Sequence, residues 1–156
     1  GMAGCEHRVG GLEKNHDGVI SSDPMNHDLM VKERMEKVQR VANYIPELKV
    51  DGAESGKLLV VGWGGTYGHL LSAVQEVRAE GIDVSFAHFD YIMPLPKNTA
   101  DVFEKFDKIL VCELNSGQFV NYLRALMPQF KYEQFNKVQG QPFLVQEITT
   151  AIKENF

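Results

Sequence analysis

The residues with the clearest chemical potential are Gly62-Trp63-Gly64-Gly65-Thr66-Tyr67-Gly68, four glycines in seven positions. Glycine lets a backbone turn sharply and come close to another group. The run lies between an apolar stretch, Leu58-Leu59-Val60-Val61, and a stretch of helical character, Leu70 to Glu80. Such a helix aims free N–H groups and its positive dipole end at the loop. The chemistry on offer is anion binding or close packing against a partner surface. Gly62 and Gly64 have the spacing of a dinucleotide fingerprint, and Asp90 ends the next expected strand, where a ribose-binding acid would lie. Tyr67 occupies the third glycine position, however, and Gly68 comes one residue late. A Walker-type phosphate loop is excluded, because His69 stands where that loop requires lysine.

Other reactive groups are less well placed. Neither Ser72 nor Ser116 sits in a Gly-x-Ser-x-Gly elbow. Cys112 lies in the apolar run Ile109–Cys112 and reads as an inert core thiol. His7, His16, His27, His69 and His88 show no metal-ligand spacing with another His, Cys or carboxylate. His69 opens the helix after the glycine loop and stays a site candidate; a structural role is the bland alternative. Glu33/Glu36 and Asp101/Glu104 read as solvated helix faces. Trp63, the single tryptophan, has two readings: a plug for the end of the sheet, or an exposed aromatic anchor at an interface.

The elements that must position these residues follow from periodicity and punctuation. Residues 1–23, with Gly4, Gly10, Gly11 and Gly18, do not read as regular structure. Asp23 caps and Pro24 opens a helix whose Val31, Met35, Val38, Ala42 and Ile45 share one face, with Pro46 as its limit. Leu48–Val50 is expected as a short strand, returned by 53–56 antiparallel to Lys57–Val61. A helix at 67–80, a strand at 83–89 and a helix capped by Asn98 to about Phe106 follow. Then come a strand at 108–113, a helix capped by Asn115 or Ser116 to Met127, a weaker strand at 132–138, and a helix opened by Pro142. Strand–helix alternation predicts an α/β class with a mainly parallel sheet and right-handed crossovers. Ligands of such sheets bind at the strand carboxyl ends. The loops there are Gly62–Gly68, Asp90–Asn98 and Glu113–Gln118.

The chain has 156 residues, the size of one domain, with 44% hydrophobic residues and a net charge of -5. The acidic balance and scattered lysines argue against nucleic acid. No apolar run is long enough to span a bilayer, so no membrane partner is expected. Cys5 and Cys112 make no disulfide framework or Cys-x-x-Cys pair, and the expected location is cytoplasmic. Gly1 before Met2 reads as a tag scar.

Several strings then occur together: Gly10–Lys14, Asp23–His27, Gly62–Gly68, Pro94–Asn98, Val111–Gln118 and Asn136–Phe143. In this order they resemble the C-terminal portion of the alpha subunit of 2-oxoglutarate:ferredoxin oxidoreductases, from about Cys5 to Ile152. The resemblance implies a transketolase C-terminal-domain-like fold, a three-layer α/β/α sandwich of about five mostly parallel strands with one antiparallel edge strand. It implies that residues 1–23 are a tag scar and the tail of a missing preceding domain, and that 24–156 form the domain itself. It implies oxidative decarboxylation of a 2-oxoacid, with CoA accepting the acyl group and ferredoxin the electrons. Thiamine diphosphate, magnesium, the iron–sulfur cluster and CoA would belong to the full complex, and none to this chain. The partners implied are the remainder of the alpha subunit, the beta subunit and, through the complex, ferredoxin. No catalytic or metal-binding residue carries over. Gly62, Trp63, Gly64, Gly65, Thr66, Asn115, Gly117 and Gln118 are expected as interface or CoA-proximal residues. The alternative is a free-standing nucleotide-binding module using Gly62–Gly68.

Overall fold

The structure, a computed structural model, describes residues 1–6 and 9–156; His7 lies outside them. Two units form, Gly1–Val41 and Ala42–Phe156.

In the first unit, helix α1 spans Pro24–Arg40. Asp23 is its N-cap, accepting from Met25 N–H at 3.0 Å, and Pro24 takes the first turn where no N–H is needed. The Glu13 carboxylate receives Arg34 at 2.9 Å and His27 at 3.0 Å. These bonds hold its pKa below the usual carboxylate range. The helix was expected to run to Pro46 with one apolar face. It stops at Arg40, Val41–Asn43 form a 3-10 turn, and none of its residues is buried.

The second unit is built on a five-stranded sheet of order β1-β3-β2-β4-β5. Its strands are β1 (Val50–Asp51), β2 (Gly56–Trp63), β3 (Ser85–Phe89), β4 (Phe106–Glu113) and β5 (Tyr132–Asn136). All pairings are parallel except β1 with β3. The helices are α2 (Tyr67–Ala79), α3 (Thr99–Phe103), α4 (Gln118–Leu126) and α5 (Val145–Asn155). Alternate strand residues feed opposite faces, as a sheet's period of two requires. Leu58, Val60, Leu110 and Cys112 join α2 and α5 in one core layer. Leu59, Val61, Ile109 and Val111 join α3 and α4 in the other. Phe89 sits edge-on to Phe119 at 5.1 Å and to Phe103 at 6.1 Å, which locks the α3/α4 layer. This is the expected three-layer sandwich with one antiparallel edge strand.

Four local expectations are corrected. The edge strand pairs with β3, Val50 opposite Ala87, and not with the strand at 57–61. Both flanks of β2 are taken by β3 and β4, so a two-residue strand finds its free N–H and C=O partners only at the sheet edge. Asn98 is the N-cap residue of α3, as expected, but its side chain makes no capping bond. Its amide accepts from Leu48 N–H at 2.8 Å and donates to Leu48 C=O at 2.9 Å, tying the lead into β1 to the start of α3. That helix ends at Phe103, because Phe106 already begins β4. Pro142 does not open α5: its carbonyl accepts from the buried Lys137 ammonium, and the helix begins at Val145.

Candidate functional site

The carboxyl ends of β2, β3 and β4 lie side by side, which brings the three expected loops to one edge of the sheet. Gly62 ends the buried part of β2. A Cβ there would fall onto the Leu70 side chain and within 2.7 Å of Thr66 Oγ1. Glycine at this position is therefore what lets α2 pack close to the strand it follows. The Thr66 hydroxyl closes the turn, accepting from Trp63 N–H at 3.1 Å and donating to Trp63 C=O at 2.9 Å. Gly64 has φ +58, a left-handed conformation that disfavours a side chain. Gly64 and Gly65 are exposed, with open space where a Cβ would point.

Connections leave β2 toward β3 through α2 and leave β4 toward β5 through α4, on opposite faces. The crevice between the ends of β2 and β4 is thus the topological switch point, the usual ligand site of an open α/β sheet. Here it is filled by protein. The Trp63 indole reaches across, donating from Nε1 to Glu113 Oε1 at 3.2 Å and packing on the Phe119 ring at 6.2 Å. Glu113 is fully buried. Its Oε1 also receives Phe119 N–H at 2.8 Å and Asn115 Nδ2 at 3.1 Å, and its Oε2 receives Val120 N–H at 3.0 Å. The Phe119 and Val120 N–H groups are free donors at the positive dipole end of α4, so an internal carboxylate occupies the position an external anion would take.

The expected cap at Asn115 or Ser116 takes a different form. Gly117, at φ 97, is the N-cap residue, and Asn115 Oδ1 accepts from Gly117 N–H at 2.7 Å and Gln118 N–H at 3.0 Å. Of the two readings of Trp63, the plug describes its position: the ring is half-buried against the α3/α4 core. Glu113 is the residue that sequence reasoning missed. Its signal is a lone carboxylate closing an apolar strand just ahead of a helix start.

A second feature lies on the other side of the glycine loop. A cavity of about 670 Å3 is walled by Gly64 and Tyr67, floored by Phe86 and His88, and rimmed by Lys49, Asp51 and Asp90. Tyr67 meets the His88 ring edge-on at 5.1 Å. Burial lowers the His88 pKa, while the Asp90 carboxylate and the Gly64 backbone act against it. Asp51 is paired with Arg78. With one lysine against two carboxylates, the lining does not form a diphosphate cradle. His69 stands half-buried in the first turn of α2, and its Nδ1 has no hydrogen-bond partner. The Cys112 thiol is fully buried, and burial together with neighbouring Glu113 pushes its pKa far up, so it stays protonated. Among the described residues, no three His, Cys, Asp or Glu side chains converge on a metal site, and no helix is long and apolar enough to cross a membrane.

Comparison with known proteins puts this geometry in context. The chain is 39% identical over 159 residues to the 2-oxoglutarate oxidoreductase subunit KorA of Mycobacterium tuberculosis, covering 98% of this chain and 23% of that protein. The chain is homologous to one region of the 2-oxoacid:ferredoxin oxidoreductase alpha subunits. It is also 27% identical over 149 residues to subunit alpha of the 2-oxoacid:ferredoxin oxidoreductase 1 of Aeropyrum pernix, again 23% of that protein. This chain therefore spans about a quarter of the oxidoreductase subunits it matches. A solved 2-oxoglutarate:ferredoxin oxidoreductase from Magnetococcus marinus, with 2-oxoglutarate, coenzyme A and succinyl-CoA bound, superposes with a TM-score of 0.87. That match has 29% identity over 99% of this chain and 27% of the solved one. A split-gene transketolase shares the fold alone, at TM-score 0.54 and 12% identity over 69% of this chain and 41% of that one. No protein-family model matches the chain.

Proposed function

We propose that this chain is the C-terminal, noncatalytic domain of the alpha subunit of a thiamine-diphosphate-dependent 2-oxoacid:ferredoxin oxidoreductase, with 2-oxoglutarate as the oxoacid. Its work is subunit assembly around an active site built elsewhere. The observation that carries this reading is the filled crevice between β2 and β4, where Trp63 and Glu113 occupy the place a ligand would take. The protonated, buried Cys112 and the absence of a cradle at Gly64 support it. Thiamine diphosphate supplies the nucleophile of such a decarboxylation when bound, and proteins that hold it contribute positioning and electrostatics. Among the described residues no group of His, Cys, Asp or Glu converges to hold a metal, so its magnesium and an iron–sulfur cluster are assigned, with it, to the rest of the alpha subunit and to the beta subunit. Ferredoxin then meets the assembled complex, in the cytoplasm. Of the eight loop residues expected at an interface or near CoA, Gly62, Trp63 and Thr66 hold the β2–α2 turn and the crevice plug. Asn115, Gly117 and Gln118 shape the start of α4, leaving Gly64 and Gly65 open to a neighbour.

The test is an assay of the isolated chain with 2-oxoglutarate, CoA, thiamine diphosphate, magnesium and an artificial electron acceptor. No turnover is expected; turnover by this chain alone sinks the proposal. Melting in the presence of ligands separates the remaining readings. A ligand that binds only the native state at a hundred times its Kd stabilises by about 2.7 kcal/mol. A shift with CoA alone adds a CoA-path role to the loop edge. A shift with NAD or ADP favours a nucleotide-binding module instead.

A further inference from the structure

The two ends of the sheet in the second unit differ in character. At the amino ends of the strands, the loops carry exposed charge of both signs, including Glu80, Asp83, Glu104, Lys105 and Lys131, and Asp107 adds another at the start of β4. At the carboxyl ends, loops 63–67, 90–98, 114–118 and 137–144 expose two charged residues, Asp90 and Lys97, to which the lead into the antiparallel β1 adds Glu47 and Lys49. Large apolar side chains stand among them. Met93 is 67% exposed, Tyr67 51%, Tyr91 46% and Leu114 39%, with Val138 and Leu144 beyond them. Single exposed apolar residues are ordinary; a charge-depleted edge enriched in tyrosine and methionine has the composition of the core of a protein interface. The open glycines Gly64 and Gly65 lie at the same edge, where a neighbour's backbone can approach without meeting a side chain.

We infer that the carboxyl end of this sheet seats on the remaining part of the same alpha subunit, with Tyr67, Tyr91, Met93 and Leu114 as anchors. The inference deepens the assembly reading and rests on it. The occupant follows from chain length. The same fold recurs with TM-score 0.87 in a polypeptide of which this chain covers 27%, so most of that polypeptide lies outside the region described. It also follows from charge: with Lys49 and Lys97 set against Asp90 at this edge, the surface lacks the basic rim that nucleic acid or an anionic membrane requires. Its chemistry fits an apolar protein face.

The experiment uses this chain, the rest of the alpha subunit and the beta subunit as separately purified components. Binding is measured for the unaltered chain, for Met93→Glu and Leu114→Glu, and for Lys105→Glu at the opposite end as a control. Each replaced side chain is solvent-exposed, so circular dichroism and melting should be unchanged. The two edge variants are expected to bind at least tenfold more weakly, the cost of truncating or charging an interface anchor, and the control to bind normally. Hydrogen exchange of the unaltered chain gives an independent readout: amides at 64–67 and 91–93 should gain protection in the complex and those at 104–107 should not. Equal binding by the edge variants, with no protection at 64–67 and 91–93, overturns the inference. Self-association of the chain through these residues overturns the assigned occupant. If the unaltered chain does not bind at all, the assembly reading itself falls.

Discussion

Replacing Glu113 by glutamine probes the filled crevice with the smallest change of shape. Four N–H groups point at this carboxylate, three at Oε1 and one at Oε2. A glutamine amide can keep its oxygen at the Oε1 position and satisfy Phe119, Asn115 and Trp63. Its NH2 group then faces the Val120 N–H, donor against donor, inside a site closed to water. One charge-assisted hydrogen bond is lost, at about 1.5–3 kcal/mol, and a buried donor is left unpaired, at about 1–3 kcal/mol. Relief of the buried charge offsets part of this. The net expectation is a loss of about 3 kcal/mol, or a fall in Tm of roughly 6–12 °C for a chain of this size. Urea unfolding gives the free energy, and the emission of Trp63, the single tryptophan, reports whether its indole has lost its partner. A Glu113→Gln protein within about 0.5 kcal/mol of the parent, with unchanged emission, would refute the claim that this carboxylate organises the crevice.

Gly62→Ala forces a methyl onto Leu70 and Thr66 and should destabilise by about 1–3 kcal/mol, whereas Gly65→Ala, with open space around it, should stay within about 0.5 kcal/mol; paired urea titrations check both. Asn98→Ala removes both bonds to Leu48 and should cost about 1–3 kcal/mol, with faster hydrogen exchange at the Leu48 amide while the amides of β2 and β4 stay protected. The folded pKa of His88 lies below its ordinary value, so the unfolded state binds the proton first as pH falls. Its contribution is complete above the unfolded pKa of about 6.5 and is lost as pH falls toward the folded value. His88→Gln should therefore show a flatter dependence of Tm on pH below about 7 than the parent does; an equal slope contradicts the assignment.

The fold was legible where one physical signal dominated. Buried strands such as Leu58–Val61 and Ile109–Cys112, and the amphipathic α2 and α4, needed only hydrophobic pattern and their flanking breakers. Edges depended on competition between distant partners, which a local pattern does not carry. Leu48–Val50 reads as a strand from its own residues, but its pairing with β3 depends on β2 having both flanks occupied. Asn98 reads as a helix cap because Asn ahead of a helix usually is one; the tertiary demand of the Leu48 backbone fifty residues away took its side chain instead. The site was legible as a set of loops and opaque as chemistry. Glycines at 62, 64 and 65 look alike in a string, yet the first is closed by Leu70 and the other two stand open. Glu113 looks like the last residue of a strand, and only the placement of α4 makes it the anchor of the crevice.

Complementation shows whether this domain, itself noncatalytic, completes the complex. An alpha subunit lacking the region equivalent to this chain is combined with the beta subunit, and 2-oxoglutarate oxidation is followed as the purified chain is added. Little activity is expected without the chain, none from the chain alone, and a saturable rise in turnover as it is titrated in. Full activity of the truncated complex, or no recovery with a chain that binds it, would mean that the domain does not complete the enzyme.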